Sequence, residues 1–240
     1  MTRGDRRARA RPLKRKVAIR RPRKTLVVFC EGERTEPEYL NALKRQPSVR
    51  DVAAVDLRVE TGQGGSVPRT LVAAAAQARS RAMDDEGEID EFWCVFDVEW
   101  PRNHPGLQEA VRHARASGIK LAISNPCFEL WLILHFRYHT AWLDNNRAWR
   151  LRRQVDGSSD KGLDAAKYMP LTADAARRAA ELDRRHRQDG TVFPHDNPST
   201  GMHRLIAAVE PPNASSSTRQ PRSRTAGWIV LDPCGQRPPT

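Results

Sequence analysis

Short apolar runs alternate with stretches of helical spacing between positions 24 and 140, and each run is closed by polar or turn-forming residues. Thr25–Cys30 (TLVVFC) ends in Glu-Gly and predicts a first strand; Val52–Glu60 alternates and predicts a second. Phe92–Asp97, entered from an acidic turn at Asp84 to Asp90, predicts a third strand, and Ile119–Ser124 a fourth. Between them lie helical segments. Thr35 with Pro37 and two early acids predicts a helix over Glu36–Lys44, because such residues suit a helix start. Ser66-Val67-Pro68 opens an Ala-rich helix to Met83, Pro105–Ser117 is amphipathic and stopped by Gly118, and Cys127–Phe136 continues as an apolar helix capped by Ser124 or Asn125. Strands that alternate with helices predict an α/β domain with a mainly parallel sheet over residues 25–138.

Beyond it the strand-like runs cease. Trp142–Arg153, Ala173–Gln188 and Thr200–Val209 predict helices, joined by the loops DGSSDKG and FPHDNPST, so residues 139–209 read as a helical extension packed on the core. In HDNPSTGMHRLI (195–206), Asn-Pro turns the chain, and Ser199 or Thr200 caps the last helix. Residues 210–240 are rich in Pro, Ser and Arg and are expected to be mostly disordered, with only Trp228–Leu231 strand-like.

Charge is distributed unevenly. The formal net charge is +12, of which residues 1–24 carry +11 and residues 211–240 carry +3, leaving the body at −2. A basic arm without apolar periodicity is expected to be disordered when free, and suits an electrostatic tether to nucleic-acid phosphates as well as it suits a plain solvated tail. The arm lacks the apolar core of a signal peptide, and the longest apolar run, around Leu130–Phe136, falls far short of the ~20 residues that span a bilayer, so a cytoplasmic protein is expected. The four cysteines show no metal-type or redox-type spacing, which points to buried free thiols.

Ligands of open α/β sheets bind at the C-terminal ends of the strands. Three acids are expected there: Glu31 after the first strand, Asp97 and Glu99 after the third. Period-two geometry puts Asp97 and Glu99 on one side, where their oxygens suit Mg²⁺ or Mn²⁺, and Glu31, beside a flexible Gly32, serves as third ligand or general acid/base. The same pair also fits a strand that simply runs out into solvent. In SNPCFELWLILHF (124–136), Glu129 and His135 sit among apolar neighbours and must be paired, hydrogen-bonded or shifted in pKa. The Gly-rich TGQGGS loop has neither the Lys nor the spacing of a nucleotide-binding loop and reads as a flexible segment beside the site.

Taken in order, VVFCEGERTEPEYL (27–40), CVFDVEW (94–100), LAISNPCFELWLILHF (121–136), DKGLDAAKY (160–168) and HDNPSTGMHRLI (195–206) resemble the RloB-like family over about residues 25–209. The resemblance implies a Toprim-like α/β core, the fold of topoisomerases, primases and nucleases of the overcoming-lysogenization-defect type. Toprim sites set a Glu after the first strand with a D-x-D pair around Mg²⁺; Glu31 matches the Glu, Asp97 the first Asp, and Glu99 replaces the second with a side chain longer by a methylene. Glu129, His135 and Lys161 match motif positions and are carried over as supporting or catalytic candidates. The family is similar to components of abortive-infection and restriction-linked defence loci, often beside an AAA or SMC-like ATPase. The expectation is a Mg²⁺-dependent (or Mn²⁺-dependent) nuclease effector acting on RNA or DNA. The competing expectations are a non-catalytic nucleic-acid-binding or sensor subunit of an ATPase complex and, more remotely, a nucleotidyl transferase.

Overall fold

The computed structural model describes residues 24–49, 55–61, 67–84, 89–158 and 162–209. The arm before Lys24, the C-terminal tail, most of the Gly-rich loop and Lys161 lie outside the described residues.

The predicted alternation of strands and helices is observed. Strands β1 (Lys24–Cys30), β2 (Val55–Thr61), β3 (Glu91–Asp97) and β4 (Lys120–Asn125) pair in parallel in the order β2-β1-β3-β4. Parallel strands are covered on both faces, which is why their sequences read as nearly continuous apolar runs. β1 shows the consequence: Leu26, Val28 and Cys30 enter one core cluster, while Val27 and Phe29 enter the other. Helices α2 (Pro68–Asp84) and α3 (Leu107–Ala116) cover the second face, α3 through Leu107, Ala110 and Ala114 at helical spacing. The first face is covered by α1 (Thr35–Lys44), α4 (Glu129–Phe136) and the helices that follow.

Residues 139–209 supply α5 (Asn145–Asp156), the single turn α6 (Ala165–Tyr168), α7 (Thr172–Gln188) and α8 (Met202–Val209). Leu143, Ala148, Tyr168, Ala179, Leu182 and Leu205 from this stretch share one apolar cluster with β1. The stretch also supplies a strand that its pattern did not predict. β5 (Ser199–Thr200) pairs antiparallel with the end of β4, Ser124 opposite Thr200 and Asn125 opposite Ser199. A two-residue strand carries no alternation to detect; it is held by the Ser124–Thr200 hydroxyl bond at 3.0 Å and by Gly201 N–H donating to Ile123 O at 2.8 Å. Thr200 also accepts from Met202 N at 3.3 Å and so caps α8.

Two local expectations change. Ser124 and Asn125 do not cap α4, whose start has no side-chain cap. Asn125 instead accepts from Trp100 Nε1 at 2.9 Å and donates to Pro194 O and Asp196 Oδ1, tying β4 to the loop before β5. α5 begins at Asn145 rather than Trp142, because Asp144 accepts from Arg147 N at 2.7 Å and fixes the helix start there. Cys30, Cys94 and Cys127 are buried free thiols. No helix among the described residues is long and apolar enough to cross a membrane.

Candidate functional site

Register brings the acids together. β1 and β3 are adjacent and parallel with Cys30 opposite Val95, so both chains leave the sheet at the same edge. Glu31 N–H donates to Val95 O at 3.0 Å, and the Glu31 carboxylate turns back to accept from Asp97 N at 3.1 Å. Past Asp97, Val98 N–H donates to Ser124 O and Glu99 N–H to Pro126 O, extending the β3–β4 ladder beyond the strand. Glu99 reaches the site by a different route from the predicted one. Its φ of 64° is left-handed, which ends the period-two alternation and costs a non-glycine residue on the order of 1 kcal/mol. Asp97 and Glu99 nevertheless line the same pocket, with the Glu99 side chain 44% exposed.

That pocket, of about 740 Å³, is floored by Glu31, Glu36, Asp97 and Glu129. Glu36, in the first turn of α1, is buried, and its carboxylate lies against Gly32. A Cβ on Gly32 would collide with that carboxylate, so glycine serves here for close approach rather than for the flexibility expected of it. Burial, then the negative charges of Glu129 and Glu31, pushes the Glu36 pKa up to about 7, with its own backbone N–H and then that of Gly32 partly offsetting them. Burial pushes Asp97 well above the usual carboxylate range, reinforced by Glu36, Glu129 and Glu31 and opposed by the Phe128 N–H. The Asp97 Oδ1 is shut away from solvent with no hydrogen-bond partner among the described residues. An isolated buried oxygen of this kind is costly and calls for a ligand or a function.

Two basic side chains border this cluster. His104 Nε2 lies 2.8 Å from Glu31 Oε1 and 4.0 Å from Glu99 Oε1, and the Glu31 contact raises its pKa. Arg152, wholly buried, sends Nη1 to 4.0 Å from Glu129 Oε1, and that nitrogen has no hydrogen bond among the described residues. Its Nε and Nη2 donate to Asp156 Oδ2 and Gly162 O, and the same Asp156 oxygen accepts from Tyr168 OH.

The predicted residues therefore separate. Glu31, Asp97, Glu99 and Glu129 converge on one pocket. His135 does not: it is enclosed by the rings of Tyr39, Trp131 and Tyr168, its Nδ1 donates to Trp131 O at 2.9 Å, and its Nε2 meets Tyr39 OH at 3.0 Å. Burial lowers its pKa to about 4, so the ring is neutral. Lys161 lies outside the described residues, though Ser158 and Gly162 on either side line a neighbouring cleft of about 670 Å³ that shares Glu33 and Arg34 with the acidic pocket. Glu36, His104, Arg152 and Trp149 of the site or its border were not singled out from sequence. Glu36 was visible only as a helix-start acid, and its spacing from Gly32 was the one signal available.

The donors are all hard carboxylate oxygens, the set that suits Mg²⁺ or Mn²⁺, and their mutual repulsion and the unpaired Asp97 oxygen fit a bound dication. As they stand, no three His, Cys, Asp or Glu among the described residues are arranged to hold a metal ion, and Glu31 is engaged by the Asp97 N–H and by His104. Comparison with curated proteins and with solved structures returns no significant match. Residues 26–209 match the family described as RloB-like protein, the span that holds every element of the fold after Lys24 and Thr25 and the whole acidic pocket, and the chain belongs to that family.

Proposed function

We propose that the acidic pocket is a Toprim-type divalent-cation site and that the protein is a nuclease cutting phosphodiester bonds of RNA or DNA as an effector of antiphage defence. The observation that carries this reading is the buried, unpartnered Asp97 oxygen among three further carboxylates at the C-terminal edge of a parallel sheet. Mg²⁺ or Mn²⁺ bound there supplies Lewis-acid polarisation of the phosphate and lowers the pKa of water. Asp97 would hold the ion, with Glu31 and Glu99 as its companions. Glu36, whose carboxylate is poised near neutrality, accepts a proton at its side-chain oxygen from the attacking water. Arg152, with Nη1 4.0 Å from Glu129 Oε1, sets a fixed positive charge beside the acidic floor. The resemblance that motivates the defence role also motivates an AAA or SMC-like ATPase partner, and the cytoplasmic setting expected from the sequence fits both.

Purified full-length protein is expected to cut mixed RNA and DNA substrates with Mg²⁺ or Mn²⁺, and Asp97→Ala is expected to abolish cutting while keeping the circular-dichroism spectrum. Equal activity in the variant and the parent would sink the proposal.

A second reading is favoured by one observation, the absence of a preformed metal triad among the described residues, together with Glu99 where Toprim sites carry Asp. In it the chain is a non-catalytic nucleic-acid-binding or sensor subunit of an ATPase complex. It requires binding that is unchanged by Asp97→Ala and no response of thermal stability to Mn²⁺.

A further inference from the structure

Carboxylates at the floor of a pocket repel every nucleic-acid phosphate that a bound cation does not neutralise, so an uncharged group that takes the base adds to the hold on a nucleotide there. The acidic pocket contains such a group. Trp149, on α5, lines it together with Glu31, Asp97 and Glu129, and is half-buried. One side of its ring is occupied: the Arg153 guanidinium sits 4.6 Å from the ring centroid, and Arg153 Nε is itself held by Ser158 O at 3.1 Å. Beside it Asn145 is committed, accepting from Trp100 N at 3.0 Å, whereas Asn146 is exposed at the pocket and has no hydrogen-bond partner among the described residues.

We infer that Trp149 is the platform for an unpaired base, with the Asn146 amide at that base's edge, and that the substrate is single-stranded or locally unpaired nucleic acid. The inference rests on the phosphodiesterase reading above and names its substrate class. In a duplex both faces of every base are already stacked, so a ring in a pocket reaches only a base that has left the helix. A cavity of about 740 Å³ has the size of a small-ligand site and gives room for a nucleotide rather than for a double helix. The Arg153 cation on the ring pins the indole in place, and stacking on an aromatic face is indifferent to base identity, so recognition by strandedness with little sequence preference follows.

The test uses full-length protein without added metal in the Asp97→Asn background, so that nothing is cut, and measures fluorescence anisotropy of a labelled single-stranded oligonucleotide against a hairpin duplex of the same composition. The readout is the ratio of the two affinities, because a basic arm acts on both forms. Trp149→Ala is expected to weaken single-strand binding roughly five- to hundredfold, the range for losing a base stack, while leaving duplex binding within about twofold. Trp149→Phe is expected to restore most of the loss. Should Trp149→Ala melt below the assay temperature, Trp149→Leu keeps an apolar side chain while removing the aromatic face and is expected to behave as Trp149→Ala should. An unchanged ratio in these variants, an equal loss for both forms, or a parent that binds duplex as tightly as single strand overturns the inference. The two proposals fail separately: a parent that never cuts but shows the Trp149-dependent ratio sinks the nuclease reading alone, and a parent that cuts with a Trp149-independent ratio sinks this one alone.

Discussion

At Asp97 the chain holds a carboxylate that gains one backbone hydrogen bond and loses solvent on its other oxygen, next to three more acids. Such an arrangement works against stability unless a bound cation offsets it. Asp97→Asn is therefore expected to raise the unfolding free energy of the metal-free protein by about 1–2 kcal/mol, the usual gain from relieving a functional site, and to erase stabilisation by Mn²⁺. In the parent, Mn²⁺ at a hundred times its Kd is expected to add about 2.7 kcal/mol, read as a rise in thermal midpoint. Glu36 sets the sign of the pH dependence at this site. Its folded pKa, about 7, lies above the ordinary 4.5, so its contribution to stability is full below pH 4.5 and is lost as pH rises through 7. His135 has the opposite sign. Its folded pKa of about 4 lies below the ordinary 6.5, so stability falls as pH drops from 6.5 toward 4, by up to about 3 kcal/mol, and the difference between parent and His135→Gln melting curves across that window isolates it. Glu31 and Asp97 were legible because they end strands. Glu99 was legible only as a candidate, since its left-handed backbone leaves no trace in an alternation rule. His104 stands in a non-repeating loop, and nothing in its neighbours marks it as the partner of Glu31.

Elements were legible in proportion to their length. The strands β1 and β3 and the helices α3 and α7 carry enough apolar positions for a period to appear. β5 does not, and its existence depends on one close approach. A Cβ on Gly201 would stand 3.0 Å from Ala122 Cα and 3.2 Å from Ile123 N, backbone atoms that cannot turn aside. Gly201→Ala is thus expected to cost about 1–3 kcal/mol in chemical unfolding by pushing β5 off β4. At the opposite extreme, α4 is apolar all round because it is buried all round, from Leu130 through His135. Leu132→Ala is expected to cost about 2–5 kcal/mol, and a loss under 1 kcal/mol would show that α4 is not the centre of this core. The start of α5 shows why boundaries resist reading: Asn and Asp crowd residues 144–146, and only the bond from Arg147 N to Asp144 selects the cap.

For the whole molecule, charge is divided between a body of −2, an N-terminal arm of +11 and a C-terminal stretch of +3. On the proposed reading the body offers nucleic acid an acidic pocket, so most of the long-range attraction is expected from the arm. Removing residues 1–23 is expected to weaken binding of single strand and duplex alike and to flatten the dependence of log Kd on log salt, without altering the single-strand preference assigned to Trp149. The α/β architecture and its parallel sheet followed from the alternation of runs, and the edge that carries the site followed from strand order. The convergence of Glu36 and Trp149 on that edge did not, because it depends on how α1 and α5 pack across the sheet ends. The central claim is that these carboxylates form a working cation site for phosphodiester cleavage. Its most direct test is cleavage of a mixed RNA and DNA substrate pool by the full-length protein, with Mg²⁺ or Mn²⁺ and with chelator, in parent and Asp97→Ala. Cutting that requires the metal and disappears in Asp97→Ala is the predicted result; metal-dependent cutting that persists in a folded Asp97→Ala, or no cutting of any substrate by the parent, contradicts it.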